Sequence, residues 1–258
     1  MIEIDPVFFS VGPVTVRWYG LMAALGMVAA YAVLHTRAKK YSFTSNDVSD
    51  MVFYIVLAGF VGARLLYVVR FWNEIFREDP LEIFRVYNGG LVFLGGFGVA
   101  ALMGLLLCRL RKWKLGAMTD FIAPALPIGH AFGRMGCLLN GCCYGFDYEG
   151  PLAFKYQYNS SPAFPLQGLA FLLNIALGAF ILYLESRKRL ENRRFLVYVL
   201  LYCVLRFALE FGRGDYPREQ LLWGLTPAQI SCLWLLPLTA LFCLALHFYG
   251  RGKNPNKA

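Results

Sequence analysis

Seven stretches of the chain stay apolar for close to the ~20 residues a helix needs to cross a bilayer's hydrocarbon. They cover 18–34, 51–69, 89–108, 116–139, 163–184, 195–212 and 226–249. Polar segments separate them. Lipid offers backbone N–H and C=O groups no partners, so each stretch must close its hydrogen bonds internally, as a helix. The pattern predicts an all-α polytopic membrane protein of about seven transmembrane helices. It reads as one integral-membrane domain over 1–250 and a short basic tail over 251–258. The fourth and fifth stretches are the least uniform, each with internal proline.

Charge orders the connections. One alternating set carries 15 basic residues: Arg37, Lys39, Lys40, Arg109, Arg111, Lys112, Lys114, Arg187, Lys188, Arg189, Arg193, Arg194, Arg251, Lys253 and Lys257. The other set carries 7: Arg17, Arg70, Arg77, Arg85, Lys155, Arg213 and Arg218. Basic loops stay in the cytoplasm. The expected topology therefore puts the N-terminus outside and the C-terminus inside, and an odd number of spans agrees. The opening MIEIDPVFFS has no basic n-region, so no cleavable leader is expected. Trp72, Tyr87, Tyr144, Tyr148, Tyr156 and Trp223 fall in the less basic set, as a headgroup belt requires.

Topology accounts for much of the net charge of +9. No basic patch with a recognition motif lies outside the apolar stretches, so nucleic acid is not an expected partner.

Three arginines fall inside apolar stretches: Arg64, Arg134 and Arg206. An arginine at a helix centre costs ~2.5–3.5 kcal/mol on insertion scales. Arg64 and Arg134 lie near helix ends and can snorkel. Arg206 sits deeper, with Glu210 at i+4 and Arg213 at i+7. An internal ion pair is one account of that row, and a substrate site is the other. Arg64, Arg134, Arg206 and Arg213 would all reach toward one leaflet. Several guanidiniums there suit a phosphate, and a phospholipid headgroup is the expected ligand.

The segment HAFGRMGCLLNGCCYG, 130–145, ends the fourth stretch. His130 and Arg134 share a helix face. Gly129, Gly133 and Gly136 permit close helix approach or leave room for a lipid. Asn140–Gly141 and Tyr144–Gly145 read as turns whose glycines allow positive φ and offer N–H groups to an anion. Cys137, Cys142 and Cys143 are spaced C-x4-C-C, which is no structural zinc pattern, so no metal is expected. A vicinal disulfide, or a bridge from Cys137, stays open.

GRMGCLLNGCCYG resembles the signature of the bacterial prolipoprotein diacylglyceryl transferases. RWYG around Tyr19, GAR at 62–64, GGLVFLGG at 89–96, RFALEFGRGD at 206–215 and AQIS around Gln229 resemble further motifs of that family. The resemblance implies a seven-spanning protein of the bacterial inner membrane. It implies transfer of diacylglyceryl from phosphatidylglycerol to the lipobox cysteine thiol of a preprolipoprotein, forming a thioether and releasing glycerol phosphate, with no cofactor. On the family's motifs, Arg134 and Arg206 fall at positions important for substrate binding and activity. Tyr19, Glu210, Arg213 and Gly145 fall at other signature positions. The expected catalytic set is His130, Arg206 and Tyr19. The expected phosphatidylglycerol set is Arg134, Arg64, Glu210, Arg213, Gly133, Asn140 and Gly145.

The sequence also departs from the family. Leu94 stands where many members carry His. Cys137 and Cys142 replace the usual Asn and Glu. FPLQGLA at 164–170 keeps only Pro165 and Gln167 of a seven-residue motif. With Leu94 unable to take a proton, His130 is the candidate base or relay, and a packed helix histidine is the other reading of it. Two rival functions remain: a lipid-binding or lipid-moving membrane protein without the chemistry, and a transporter, for which no inverted repeat is visible.

Overall fold

Long helices form where the apolar run is uninterrupted. The computed structural model describes residues 2–12, 14–86, 89–156, 161–216 and 222–252. Tyr87, Arg218, Lys253, Lys257 and residues 253–258 of the basic tail lie outside them. The strands are β1 (Ile2–Ile4), β2 (Val7–Val11), β3 (Val14–Arg17) and β4 (Phe154–Tyr156). The helices are α1 (Trp18–Arg37), α2 (Ser45–Arg70), α3 (Phe93–Leu110), α4 (Leu115–Ile122), α5 (Ala125–Asn140), α6 (Leu166–Ser186), α7 (Arg194–Glu210) and α8 (Pro227–Gly252). Two units divide the chain: Met1–Val33 with Thr119–Ala258, and Leu34–Met118.

The larger unit packs α5 on α6, α6 on α7 and α7 on α8. Glycines bring α1 and α5 together: a Cβ on Gly26 would lie 3.0 Å from the Gly129 carbonyl oxygen, and one on Gly136 3.1 Å from the Tyr19 ring. Ala123, Leu177, Ile181 and Leu184 form a buried cluster under Phe195 and Tyr198. Asp120, 1% exposed, accepts from the N–H groups of Asn192 at 2.6 Å and Arg194 at 2.8 Å. A carboxylate at these orphan donors fixes where α7 begins. β1 pairs parallel with β4, and β2 with β3 forms an antiparallel hairpin.

The smaller unit is built on the α2–α3 pair. Thr44 and Asp47 close a capping box at the start of α2. Arg111 ties that turn to the far end of α3 through Asp47 at 3.0 Å and Asp50 at 2.5 Å. The helices touch where both are bare: a Cβ on Gly62 would lie 2.6 Å from the Gly95 carbonyl oxygen, and one on Gly95 2.4 Å from that of Gly62. Close approach of small residues is how helices associate without help from water.

The structure corrects the expectation of seven spans. Among the described residues, four helical segments are long and apolar enough to cross a membrane: Trp18–Tyr41, Ser45–Arg70, Phe93–Leu110 and Leu166–Ser186. The fourth expected stretch is cut into α4 and α5, with Pro124 at the start of α5. Its 16 residues reach only ~24 Å at 1.5 Å per residue. α7, at 17 residues, is similarly short and carries Arg194, Arg206 and Glu210. In α8 the described apolar part is Pro227–Leu241, with Pro237 inside it. With four spans, the agreement between loop charge and an odd number of crossings disappears. The protein remains largely helical and multi-pass. Val69, Phe93, Leu94 and Leu102 stand exposed on its spans, the surface that lipid covers.

Candidate active site

The site forms in the larger unit, where the ends of α5 and α7 are sewn together by the turns that follow them. α5 stops at Gly141, whose φ of +72° is left-handed. The Gly141 N–H donates to Leu138 O at 3.3 Å and the Cys142 N–H to Cys137 O at 3.1 Å. This pair of bonds is the Schellman closure of a helix. It folds Cys142 back over the last turn.

Beyond it, Tyr144–Gly145 runs beside Arg213–Gly214. The Gly214 N–H donates to Tyr144 O at 3.1 Å, and the Cys143 N–H to Asp215 Oδ2 at 2.9 Å. Glycine allows the contact, since a Cβ on Gly214 would lie 2.3 Å from the Gly145 carbonyl oxygen. Gly141 has the positive φ expected of it. The Gly145 N–H, expected to face an anion, is instead donated to Phe164 O at 2.9 Å. Gln167, 1% exposed, donates to Cys142 O at 2.7 Å.

A charged row runs along the end of α7. The Glu210 side chain is fully buried between Arg206 Nη2 at 2.8 Å and Arg213 Nη1 at 3.0 Å. Arg213 also grips Asp215 with two parallel bonds, Nε to Oδ1 at 2.8 Å and Nη2 to Oδ2 at 3.0 Å. On α5, Arg134 Nε donates to His130 Nε2 at 3.2 Å. Among the described residues Arg134 has no carboxylate partner. Three guanidiniums thus face two carboxylates, a surplus of one positive charge among these five side chains.

His130, Arg134, Asn174, Tyr202 and Arg206 line one small cavity of about 10 Å³, roughly the space of one water centre. Asn174 is buried on α6; its Nδ2 bonds Ala170 O, and its Oδ1 has no partner among the described residues. Three thiols lie beside the arginines. Cys137, Cys142 and Cys143 place their Sγ atoms within 4.8 Å of one another. Hydrogen bonds from the other two thiols hold the Cys143 thiol below the usual cysteine range, and the fields of Arg213 and Arg134 add to this against burial.

Of the expected site residues, His130, Arg134 and Arg206 meet at the cavity, and Glu210 and Arg213 continue the row. Asn140 Nδ2 lies 3.9 Å from Cys142 Sγ. The Tyr19 ring lies against Gly136, and a Cβ on Gly133 would meet open space. Arg64 belongs to the smaller unit, where its guanidinium is held by the carbonyls of Glu82, Ile83, Gly89 and Gly90. It clips that loop to α2. Asn174, Tyr202 and Asp215 were not expected. Asn174, an amide in the middle of an apolar run, and Asp215, the last residue of RFALEFGRGD, carry a signal in the sequence.

The sequence model of the prolipoprotein diacylglyceryl transferase family matches residues 6–245. The phosphatidylglycerol–prolipoprotein diacylglyceryl transferase of Dehalococcoides mccartyi strain 195 is 33% identical over 250 residues, covering 93% of each chain. That of Aeromonas salmonicida strain A449 is 34% identical, covering 98% of this chain and 92% of its own. That of Geobacter sulfurreducens is 33% identical, covering 86% and 87%.

Proposed function

The chain belongs to the prolipoprotein diacylglyceryl transferase family of the inner membrane, and we propose that it moves the diacylglyceryl group of phosphatidylglycerol onto the lipobox cysteine of preprolipoproteins. The observation that carries this reading is the meeting of Arg134 and Arg206 at one cavity. In the reaction the substrate thiol gives up its proton to water, and its sulfur attacks the glycerol carbon that bears the phosphate. The carbon–oxygen bond breaks, its electron pair stays on the phosphate oxygen, and glycerol phosphate leaves. A thioether remains on the cysteine.

Charge grows on the phosphate as that bond breaks. Guanidiniums already fixed in place stabilise such charge without reorganising. Arg134 and Arg206 take this role. Glu210 holds Arg206, Arg213 holds Glu210 from its other oxygen, and Asp215 holds Arg213 in turn. His130 acts as a positioning residue: its Nε2 accepts from Arg134, so the lone pair on that nitrogen is already engaged. Burial first, and then the fields of Arg134 and Arg206, disfavour a second proton on the ring. Tyr19, on the glycine-lined face of α1 and α5, is assigned to the lipid.

The test is transfer from phosphatidylglycerol to a lipobox peptide in detergent. Arg134→Ala and Arg206→Ala should abolish thioether formation while the protein stays folded. Retained transfer in either would remove that arginine from the chemistry. Lipid binding without any thioether from the unmodified chain would leave the lipid-binding reading instead.

A further inference from the structure

The six cysteines whose side chains are described fall into two environments. Cys108, Cys203 and Cys232 are buried, as small apolar filler should be. Cys137, Cys142 and Cys143 are only partly buried, and they stand at a polar site among Arg134, Arg213, Asp215 and Asn140. Their spacing does not predict a cluster. The helix closure at Gly141 creates it, by returning Cys142 to the last turn of α5, where Cys142 Sγ lies 3.8 Å from Cys137 O. Cys143 then takes a left-handed φ of +62°, a conformation that L residues other than glycine, Asn and Asp seldom adopt. Two buried or half-buried side chains hold the peptide that joins the pair. Gln167 donates to the Cys142 carbonyl at 2.7 Å, and Asp215 accepts from the Cys143 N–H at 2.9 Å. The backbone is clamped on both sides of the two thiols.

We propose that Cys137, Cys142 and Cys143 form a three-thiolate site for Zn²⁺ whose fourth position receives the substrate thiol. The second half of this proposal rests on the transferase reading above. The distances fit. Zinc–sulfur bonds of ~2.3 Å at a tetrahedral ion put the sulfurs about 3.8 Å apart. The three Sγ atoms already lie within 4.8 Å of one another, so closing on an ion needs shifts of ångström size or less. Three protein ligands with one open position is the arrangement of catalytic zinc, whereas structural zinc is closed by four. Three thiolates around Zn²⁺ carry one net negative charge, and the guanidiniums of Arg134 and Arg213 act on this cluster. The Asn140 amide, 3.9 Å from Cys142 Sγ, supplies a weak N–H contact to sulfur.

The site answers a need the arginines leave open. A thiol must lose its proton before it attacks carbon. Coordination to zinc deprotonates a thiol outright. The substrate sulfur binds the fourth position, its proton passes to water, and the sulfur then attacks the glycerol carbon. The electron pair of the broken carbon–oxygen bond stays with the phosphate. No electron is gained or lost by the metal.

The experiment uses the full chain in detergent, purified without a metal-binding tag. Zinc is measured by mass spectrometry, and Co²⁺ is exchanged into the site as a spectroscopic probe. The expected result is about one zinc per chain and a sulfur-to-cobalt charge-transfer band. Cys142→Ser and Cys143→Ser should lose both, and Cys203→Ser should keep both. A lipobox peptide should shift the visible cobalt bands, and the same peptide with serine for cysteine should not. A folded chain with neither zinc nor a charge-transfer band overturns the metal site. Metal binding with cobalt bands blind to the thiol peptide overturns the fourth position. Full transfer by a chain shown to be metal-free overturns the inference and leaves the transferase standing. Zinc and thiol binding without transfer does the reverse.

Discussion

Arg206 Nη2 lies 2.8 Å from Glu210 Oε2, yet that oxygen accepts no hydrogen bond among the described residues. The two groups are held by charge and not by aligned N–H geometry. The other oxygen, Oε1, accepts from Arg213 Nη1 at 3.0 Å. Glu210 is therefore the shared counter-ion of two arginines, and its side chain has no exposure to solvent.

Removing one member of a buried ion cluster leaves the others uncompensated, at a cost of ~3–5 kcal/mol. Glu210→Gln keeps the shape and removes the charge. It should lower the denaturation midpoint in detergent and reduce transfer at least tenfold. Adding Arg206→Met should restore part of the stability without restoring transfer. A midpoint unchanged in Glu210→Gln would mean that solvent or lipid already neutralises the row.

The seam between the α5 and α7 turns gives a ranked prediction. A Cβ at Gly145 would lie 2.9 Å from Phe164 O, and one at Gly214 2.3 Å from Gly145 O. Both neighbours are backbone and cannot swing aside. Overpacking of this kind costs ~1–3 kcal/mol. Gly214→Ala should be the more damaging of the two, in thermal stability and in transfer. Gly133→Ala, with open space around its Cβ, should be close to neutral for folding. A reversed order would show that the two turns are not pressed together as described.

Local relations were legible in the sequence because their geometry follows from helical spacing. Arg206 with Glu210, and His130 with Arg134, are i,i+4 pairs, and both pairs meet. Relations set by chain closure were not. Asp120 bonds the N–H of Asn192, 72 residues away. Arg64 looked like a lipid ligand because an arginine in an apolar run needs partners. It finds them in carbonyls up to 26 residues downstream, where no side-chain pattern announces them. The cysteine cluster was hidden by a rule that expects paired Cys-x-x-Cys, whereas here a helix cap does the folding back. The count of spans failed for a simpler reason. Hydropathy averages over Pro124, which divides the fourth stretch, over the charges that sit within the 17 residues of α7, and over the end of α8, whose described apolar part stops at Leu241.

Asn174 offers an acceptor to the cavity. Its Nδ2 is used by Ala170 O, which leaves Oδ1 buried and unpartnered among the described residues. An unsatisfied buried oxygen costs ~1–3 kcal/mol, and a donor from the substrate would remove that cost. The glycerol headgroup of phosphatidylglycerol carries hydroxyl donors that suit it. Asn174→Leu should leave stability unchanged or raise it. The KM for phosphatidylglycerol should rise several-fold, with less effect on the lipobox peptide. An unchanged KM together with lower stability would place Asn174 in packing alone.

The last prediction separates two roles for His130 with one pair of variants. The sequence allowed a base, because Leu94 stands where relatives carry His. In the structure His130 Nε2 accepts from Arg134 Nε at 3.2 Å, and the ring stacks at an angle on Tyr202. Glutamine can offer an oxygen acceptor near that point but cannot take up a proton. Loss of a general base costs ~10²–10⁴-fold in rate, whichever neutral residue replaces it. Loss of a positioning bond is repaired by another acceptor. His130→Ala should therefore lose transfer strongly, as Arg134 swings free. His130→Gln should recover to within about tenfold of the parent, the scale of one modest hydrogen bond, with an unchanged pH profile. A His130→Gln protein as inactive as His130→Ala, yet equally stable, would return the histidine to the role of base.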